Sequence, residues 1–320
     1  MSATGGAGGG RPDEDVDRDR GVGVAKDGEW TVARPPTPFV DEHGVSKGWY
    51  ELEHNGWVFR SQERPIAGSE EQAALRAELD LERGVPLPDM VYAQNYLELV
   101  KPSVGIRLHF GPLDALASWN ERQHEMSMSE DGTLDATNFD WTYAHEYKGR
   151  VDVDRAVLRS LLREHKLIEA PYFGRPVRSS LRIPDDRLRE TGHIHYYSSI
   201  DLWSDELGDR GCATLAVKVR VMKDLFLILL RTFVRVDGRS VRLVDTRWFH
   251  DFSDAFILRE TTVREATLEE LRKAAEGHRP FSASVAEKAA RDERFFAKEE
   301  QVYELVKPKK TTTEIIALTV

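Results

Sequence analysis

The chain has 320 residues, 40% hydrophobic and 31% charged, with 23 Gly and 14 Pro. That balance allows one large domain or two modest ones with a sizeable core, and excludes a fibrous or wholly disordered chain. Lys plus Arg number 45 against 55 Asp plus Glu, a net charge of −10, so the basic footprint of a general nucleic-acid or anionic-membrane binder is missing. The single cysteine, Cys212, excludes an internal disulfide framework and a cysteine-rich zinc cluster.

Residues 1–46 mix Gly runs, alternating charges from Asp13 to Arg20 and the segment Arg34-Pro35-Pro36-Thr37-Pro38. Such a stretch buries too little apolar area to offset the entropy of ordering, so a disordered extension is expected. Met1 to Gly10 has no basic start and no apolar stretch, and does not read as a secretory signal. The most apolar window, Leu225 to Leu230, is too short for a bilayer and reads as a buried strand. A cytoplasmic protein with access to the nucleus is the expectation.

The ordered domain is expected over residues 47–308, beginning with the aromatic, β-prone run Trp49 to Phe59. Ser69 to Leu81 reads as a helix, with Ser69 and Gln72 as its capping box. Val91 to Val100 and Gly105 to Phe110 read as strands joined through Lys101-Pro102-Ser103. A short helix, Asp114 to Trp119, follows Gly111-Pro112. Met126 to Thr137 is polar and reads as a loop, and Trp141 to Lys148 as a strand. Behind Asp154, residues Val157, Leu158, Leu161, Leu162 and His165 recur at helical spacing. Ser179 to Ile183, stopped by Pro184, and His193 to Trp203 read as strands.

The clearest pattern comes next. Leu215, Val217, Val219 and Val221 alternate with Ala216, Lys218, Arg220 and Met222, a half-buried strand. Leu225 to Val236 is more apolar and should lie centrally. Asp237-Gly238 supplies a tight hairpin turn into Ser240 to His250, and Ala255 to Arg264 continues the meander. Thr267 and Glu270 cap a helix running to about Ala275, and Val285 to Tyr303 is mostly helical by pattern. Residues 309–320 read as a flexible tail. The pattern predicts one α+β domain built on long antiparallel sheets with helices at the edges.

Two constellations could carry chemistry. His193 and His195 point to one face of a strand and could grip a metal if His145, His250 or a carboxylate joined them. The same pair also suits a plain polar sheet face. A metal-dependent or small-ligand-binding enzyme using that face is the alternative functional reading. Cys212, at a strand start with no nucleophile signature around it, reads as a half-buried thiol. No GxGxxG, P-loop or GxSxG pattern occurs. The second constellation is Asp245-Thr246-Arg247-Trp248-Phe249-His250, where Asp245 and Arg247 share a face with Leu243 and Phe249. These charges either pair with each other and with Arg231, or form a charged strip suited to gripping a partner.

Three blocks, in order, carry a family resemblance. The first is Leu87-Pro88-Asp89-Met90 with Leu97-Glu98-Leu99 and Asp114-Ala115-Leu116, and the second Asp140-Trp141-Thr142-Tyr143 with Tyr147-Lys148-Gly149. The third runs from Leu215 to Met222 and on through Leu229-Leu230-Arg231, Arg235-Val236-Asp237-Gly238, Asp245-Thr246-Arg247 and Leu258-Arg259-Glu260. Together, over roughly Trp49 to Leu271, they resemble the TIP41-like family of target-of-rapamycin signalling regulators.

The resemblance implies a single α+β domain and a regulator, not an enzyme, with no cofactor and no metal. It implies binding to catalytic subunits of type 2A protein phosphatases and their type 4 and type 6 relatives, and restraint of their activity or assembly. A Tap-forty-two/alpha-four-like regulatory protein is implied as a further partner, directly or through the phosphatase, and neither nucleic acid nor membrane is. Carried over by motif, the phosphatase contacts fall on Asp114, Ile183, Leu243 and Asp245. The family has methionine where Leu243 stands, a volume-conserving change. The phosphatase's short acidic and aromatic tail needs cations beside apolar walls, for which Lys218, Arg220, Arg231 and Arg247 are the candidates. The extension before Trp49 and the helical insertion near Leu158 to Leu167, within a longer segment 150–177, depart from the family pattern.

Overall fold

The structure is a computed structural model that describes residues 48–79, 87–117, 147–277 and 303–320. Among these, thirteen strands build two antiparallel sheets, with helices at their margins, in one α+β domain. The smaller sheet runs β1 (Trp49–His54), β2 (Trp57–Gln62), β4 (Tyr96–Lys101), β5 (Ile106–Phe110) and β6 (Arg150–Val153). The larger runs β3 (Met90–Val91), β8 (Ile194–Asp205), β9 (Gly211–Met222), β10 (Leu225–Val236), β11 (Ser240–Asp251), β12 (Phe256–Thr267), β13 (Lys310–Ala317) and β7 (Pro176–Ser179).

The meander β9–β10–β11–β12 follows from alternation and turn chemistry. Strand β10 has the bounds the pattern predicts and lies in the middle of its sheet. Gly238, at a φ of 73°, turns it into β11, where Val236 pairs with Ser240. A second tight hairpin, β1–β2, is made by Asn55 and Gly56, both at positive φ.

The sheets close face to face. From the small sheet come Trp57, Phe59, Leu97, Leu99, Ile106, Leu108 and Phe110. Val217, Val219, Val221, Phe226, Ile228, Leu230 and Trp248 meet them from the large one, in one continuous core. Trp57 and Phe59 meet Phe226 edge-on at 5.3 and 5.8 Å, and Phe110 meets Trp248 likewise at 5.5 Å. Each such fully buried side chain contributes about 1.5–3 kcal/mol.

The helices are short and peripheral. Helix α1 (Ser69–Glu78) is capped one residue earlier than expected: Gly68 is the N-cap, and its amide donates to Glu71 at 2.9 Å. Glycine's bare backbone suits the extended cap, which displaces Ser69 and Gln72 from that role. Helix α2 (Pro112–Leu116) opens on proline, whose missing N–H costs nothing there. Helix α3 (Arg155–Glu164) has Asp154 as N-cap, accepting from Ala156 and Val157. After α4 (Asp185–Leu188), helix α5 (Leu268–Gly277) carries the expected capping box between Thr267 and Glu270.

Two expectations are corrected. Residues 309–320 are not a loose tail, because Lys310–Ala317 forms β13, paired to β12 on one side and β7 on the other. The β-branched run Thr311-Thr312-Thr313 with Ile315 and Ile316 favours a strand, and burying Ile316 against the main core repays the ordering. The strand expected at Ser179 to Ile183 ends at Ser179, and Ile183 instead packs from a loop. The expected extension 1–46, the loop at Met126 to Thr137, most of the strand at Trp141 to Lys148 and the helix before Tyr303 lie outside the described residues. Tyr147 and Lys148, the described end of that strand, are not in one.

His250 lies wholly inside the sandwich, ringed by Trp57, Phe226 and Phe252, with Nδ1 donating to the Phe256 carbonyl at 2.9 Å. Burial pushes its pKa down to about 4 from an ordinary 6.5, the nearby Lys101 charge adding to the fall. The unfolded chain therefore takes up a proton below pH 6.5 that the folded chain refuses until about pH 4. Stability is complete above that window and falls within it, by about 3 kcal/mol at most. Urea midpoints measured from pH 7 to pH 4 should fall less steeply for His250→Asn, which keeps a donor near Nδ1, and parallel curves would refute the assignment.

Candidate functional site

Strand alternation divides β11 into two faces. Trp248 and His250 point into the sandwich, so Val241, Leu243, Asp245, Arg247 and Phe249 point outward, away from the small sheet. Register extends that outer face sideways: Arg231 lies opposite Asp245 on β10 and Thr262 opposite it on β12. The next row carries Lys218, Leu229, Arg247 and Glu260.

Both ends of this face are covered. At one end α5 and residues 303–306 lay Leu271, Leu305 and Val306 over Phe233, Val241 and Leu243. At the other, Ile183 and Leu188 cover Met222, Leu225, Phe249 and Leu258. Between the covers runs a strip with charged and apolar residues side by side. Lys218 and Ser199 are exposed, Leu227 and Leu229 are half-buried, and Tyr197 is 60% exposed.

Asp245 anchors the strip. Its carboxylate has no solvent exposure and accepts a two-pronged pair of bonds from Arg231, at 2.7 and 2.9 Å. Arg247 adds a third contact at 3.4 Å and donates to the Tyr303 hydroxyl at 2.9 Å. The Tyr303 ring also lies 4.1 Å from the Arg264 guanidinium carbon, and 5.7 Å from those of Arg231 and Arg247. A carboxylate withdrawn from water is tolerated only when charge and hydrogen bonds are returned to it, as the forked guanidinium does. The pairing expected of Asp245 with Arg231 is therefore present, on the outer face of the large sheet.

Seven of the eight expected site residues converge on this side of the large sheet. Leu243, Asp245, Lys218, Arg220, Arg231 and Arg247 are outward on β9 to β11, and Ile183 covers the adjoining end. Leu243 and Asp245 are buried beneath the surface, and Arg220 reaches the Leu188 carbonyl at 3.2 Å. Asp114 lies elsewhere. It belongs to α2 and accepts from His109 at 2.6 Å and Arg150 at 2.5 Å. Leu108 and Phe110 face the core, so His109 and Asp114 sit on the far side of the small sheet. Burial pushes the Asp114 carboxyl up, but the His109 hydrogen bond and the charges of His109, Arg150 and Arg107 outweigh it and hold the group below its ordinary value.

Sequence reasoning missed Leu227, Leu229 and Tyr197, although counting by twos from Arg231 reaches the first two. It also missed Tyr303, for which no local signal exists.

His193 and His195 do come together, with ring centroids 5.0 Å apart, and His195 stacks on His54 at the same distance. The His54 ring is tied to the Lys223 carbonyl at 2.9 Å, while His250 is locked inside the core. Among the described residues no three His, Cys, Asp or Glu side chains form a group that could hold a metal ion, and His145 lies outside them. Nor is any helix among them long and apolar enough to cross a membrane.

The fold and this face define an α+β protein of two antiparallel sheets, the larger carrying an open, charged and partly apolar outer surface. Residues 90–272 match the family model described as the TIP41-like family, and the chain belongs to that family. A TIP41-like protein from Rattus norvegicus is 29% identical over 241 residues, covering 72% of this chain and 82% of that protein. One from Dictyostelium discoideum is 28% identical over 234 residues, covering 68% and 80%. A Saccharomyces cerevisiae protein named type 2A phosphatase activator TIP41 is 26% identical over 258 residues, covering 72% and 67%.

Replacing Asp245 removes the buried carboxylate that both Arg231 and Arg247 contact. Asp245→Leu should cost about 3–5 kcal/mol of folding stability. Arg231→Leu combined with Asp245→Leu should recover a large part of it, since nothing of that pair is then left uncompensated. Equilibrium urea unfolding of both variants measures this, and a fully stable Asp245→Leu protein would contradict it.

Proposed function

We propose that this chain is a non-catalytic regulator of type 2A-like serine/threonine phosphatases that binds their catalytic subunit through the outer face of the large sheet. The observation that carries the reading is the open strip between two apolar covers, where Tyr197, Lys218 and Leu229 stand beside arginines already fixed in place. Aromatic and apolar anchors beside rigid, pre-oriented charges are what a specific protein interface requires. The names of the yeast relatives, type 2A phosphatase activators, supply the partner class.

In this reading Leu243 and Asp245 act from beneath. Leu243 seats residues 305–306, and Asp245 holds Arg231 and Arg247 at the angle a partner's tail carboxylate would meet. Ile183 shapes one wall of the strip, while Lys218 and Arg220 supply further positive charge. Asp114 has a positioning part, tying α2 to β5 and β6 on the opposite side of the sandwich. The effect on the phosphatase is restraint or activation; the family resemblance suggests the first and the relatives' names carry the second. The remaining proposals are a place in target-of-rapamycin signalling, a Tap-forty-two/alpha-four-like partner, and residence in the cytoplasm and nucleus.

The test uses the full chain and purified type 2A, type 4 and type 6 catalytic subunits. The wild type should bind at least one of them. Combining Tyr197→Ala with Lys218→Glu should weaken that binding by roughly tenfold or more while leaving the unfolding temperature nearly unchanged. A phosphatase assay on the same mixtures gives the sign of the effect. Equal binding by the folded double variant would remove this face from the interface.

A further inference from the structure

One guanidinium on the outer face of the large sheet takes no part in the ion pairs of the strip. Arg264 lies opposite Leu243 in the register of β11 and β12, one row beyond Asp245 and Arg231 on the same face. It is 7% exposed, yet its Nε and Nη1 groups have no hydrogen-bond partner, and among the described residues it forms no ion pair. The neighbouring carboxylate, Asp245, is already held by Arg231 through two bonds and touched by Arg247.

What covers Arg264 is the ring of Tyr303, 4.1 Å from its guanidinium carbon and 5.7 Å from those of Arg231 and Arg247. The attraction of a cation to a ring face offsets part of the desolvation cost, but a neutral ring brings no charge. A buried guanidinium with idle N–H groups is normally met by an oxyanion. The ring itself is lightly held. It is half-buried, and among the described residues its hydroxyl makes a single hydrogen bond, accepted from Arg247 at 2.9 Å. Leu305 and Val306, each 8% exposed, anchor the chain just beyond it on Phe233 and Leu243. A change of Tyr303 rotamer can therefore move the ring while that anchor stays in place.

We propose that Tyr303 is a removable plug in a seat that takes an aromatic group and an anion from a partner chain. The seat is aromatic because a ring already fits among the three guanidiniums, and anionic because Arg264 lacks what an oxyanion brings. Tyr303 meets the first requirement and leaves the second unmet, so a group that meets both displaces it. In the free protein the seat is closed, and the affinity for a partner is lowered by the fraction of molecules in which the ring is in place. The identity of the partner rests on the phosphatase reading above; the plug itself does not.

Two titrations of the full chain test this, and the first needs no phosphatase. Phenyl phosphate, an aromatic ring carrying an oxyanion, is titrated calorimetrically at constant ionic strength. Tyr303→Ala should bind it saturably and roughly tenfold or more tighter than the wild type, and adding Arg264→Gln should abolish the gain. Tyr303→Phe, which loses only the bond from Arg247 and keeps the ring packed, should fall between the two and serves if the alanine variant unfolds. Equal affinity of the wild type and both Tyr303 variants, or a gain that survives Arg264→Gln, would overturn the plug. The second titration uses the type 2A, type 4 and type 6 catalytic subunits, for which Tyr303→Ala should bind about threefold or more tighter than the wild type. A wild type that binds while Tyr303→Ala binds no tighter would refute the competition between plug and partner. If neither binds, the function proposed above fails, and the plug stands or falls on phenyl phosphate.

Discussion

The period of two in the long strands is the constraint on which the rest of this structure depends. Four consecutive strands of 12 residues, β9 to β12, each keep one face apolar enough to bury and free the other for chemistry. A slip of one residue in β10 or β11 would send Phe226 or Trp248 into solvent and Arg231 or Asp245 into the aromatic core. The cost of that exchange locks the register. The locked register in turn fixes which charges meet on the outer face. The site is a by-product of packing decided on the other side of the sheet.

Burial of Asp245 then sets the character of that face. An exposed carboxylate at the same place would be a mobile charge screened by salt, whereas this one is held at zero exposure by a forked arginine. The two guanidiniums it orients, those of Arg231 and Arg247, lie against the ring of Tyr303, a residue far away in sequence. Part of the surface that a partner would read is therefore shaped by the segment leading into β13. The far side of the small sheet has its own fixed network, Glu51–Arg60–Glu98–Arg107, but there the charges are satisfied in a chain that crosses four neighbouring strands.

Much of this was legible in the sequence, for local reasons. Strand β10 was bounded correctly because twelve β-prone residues end at Asp237-Gly238, and helix α5 because Thr267 and Glu270 form a reciprocal cap. Strand β13 was misread because a short polar-looking run of threonines has no partner until the sheet exists, and strand propensity is largely a statement about neighbours. The site was legible in its residues but not in its arrangement. Motif positions led to Asp114 and Asp245 alike, yet one lies on each side of the sandwich. Assigning a side requires knowing which strands pair, and that is decided by contacts between segments distant in sequence.

The placement of β13 also bears on how the molecule is made. Strand β7 precedes β8, yet within the large sheet its partner is β13, which enters the sheet between it and β12. During synthesis β7 must wait through the whole meander, and the finished edge of β12 stays unpaired until the segment beyond residue 303 emerges. An open strand edge with apolar neighbours is the usual seed of intermolecular pairing. Nascent chains stalled or cut before β13 should therefore depend on chaperones to stay soluble, and β13 acts as the latch that releases them.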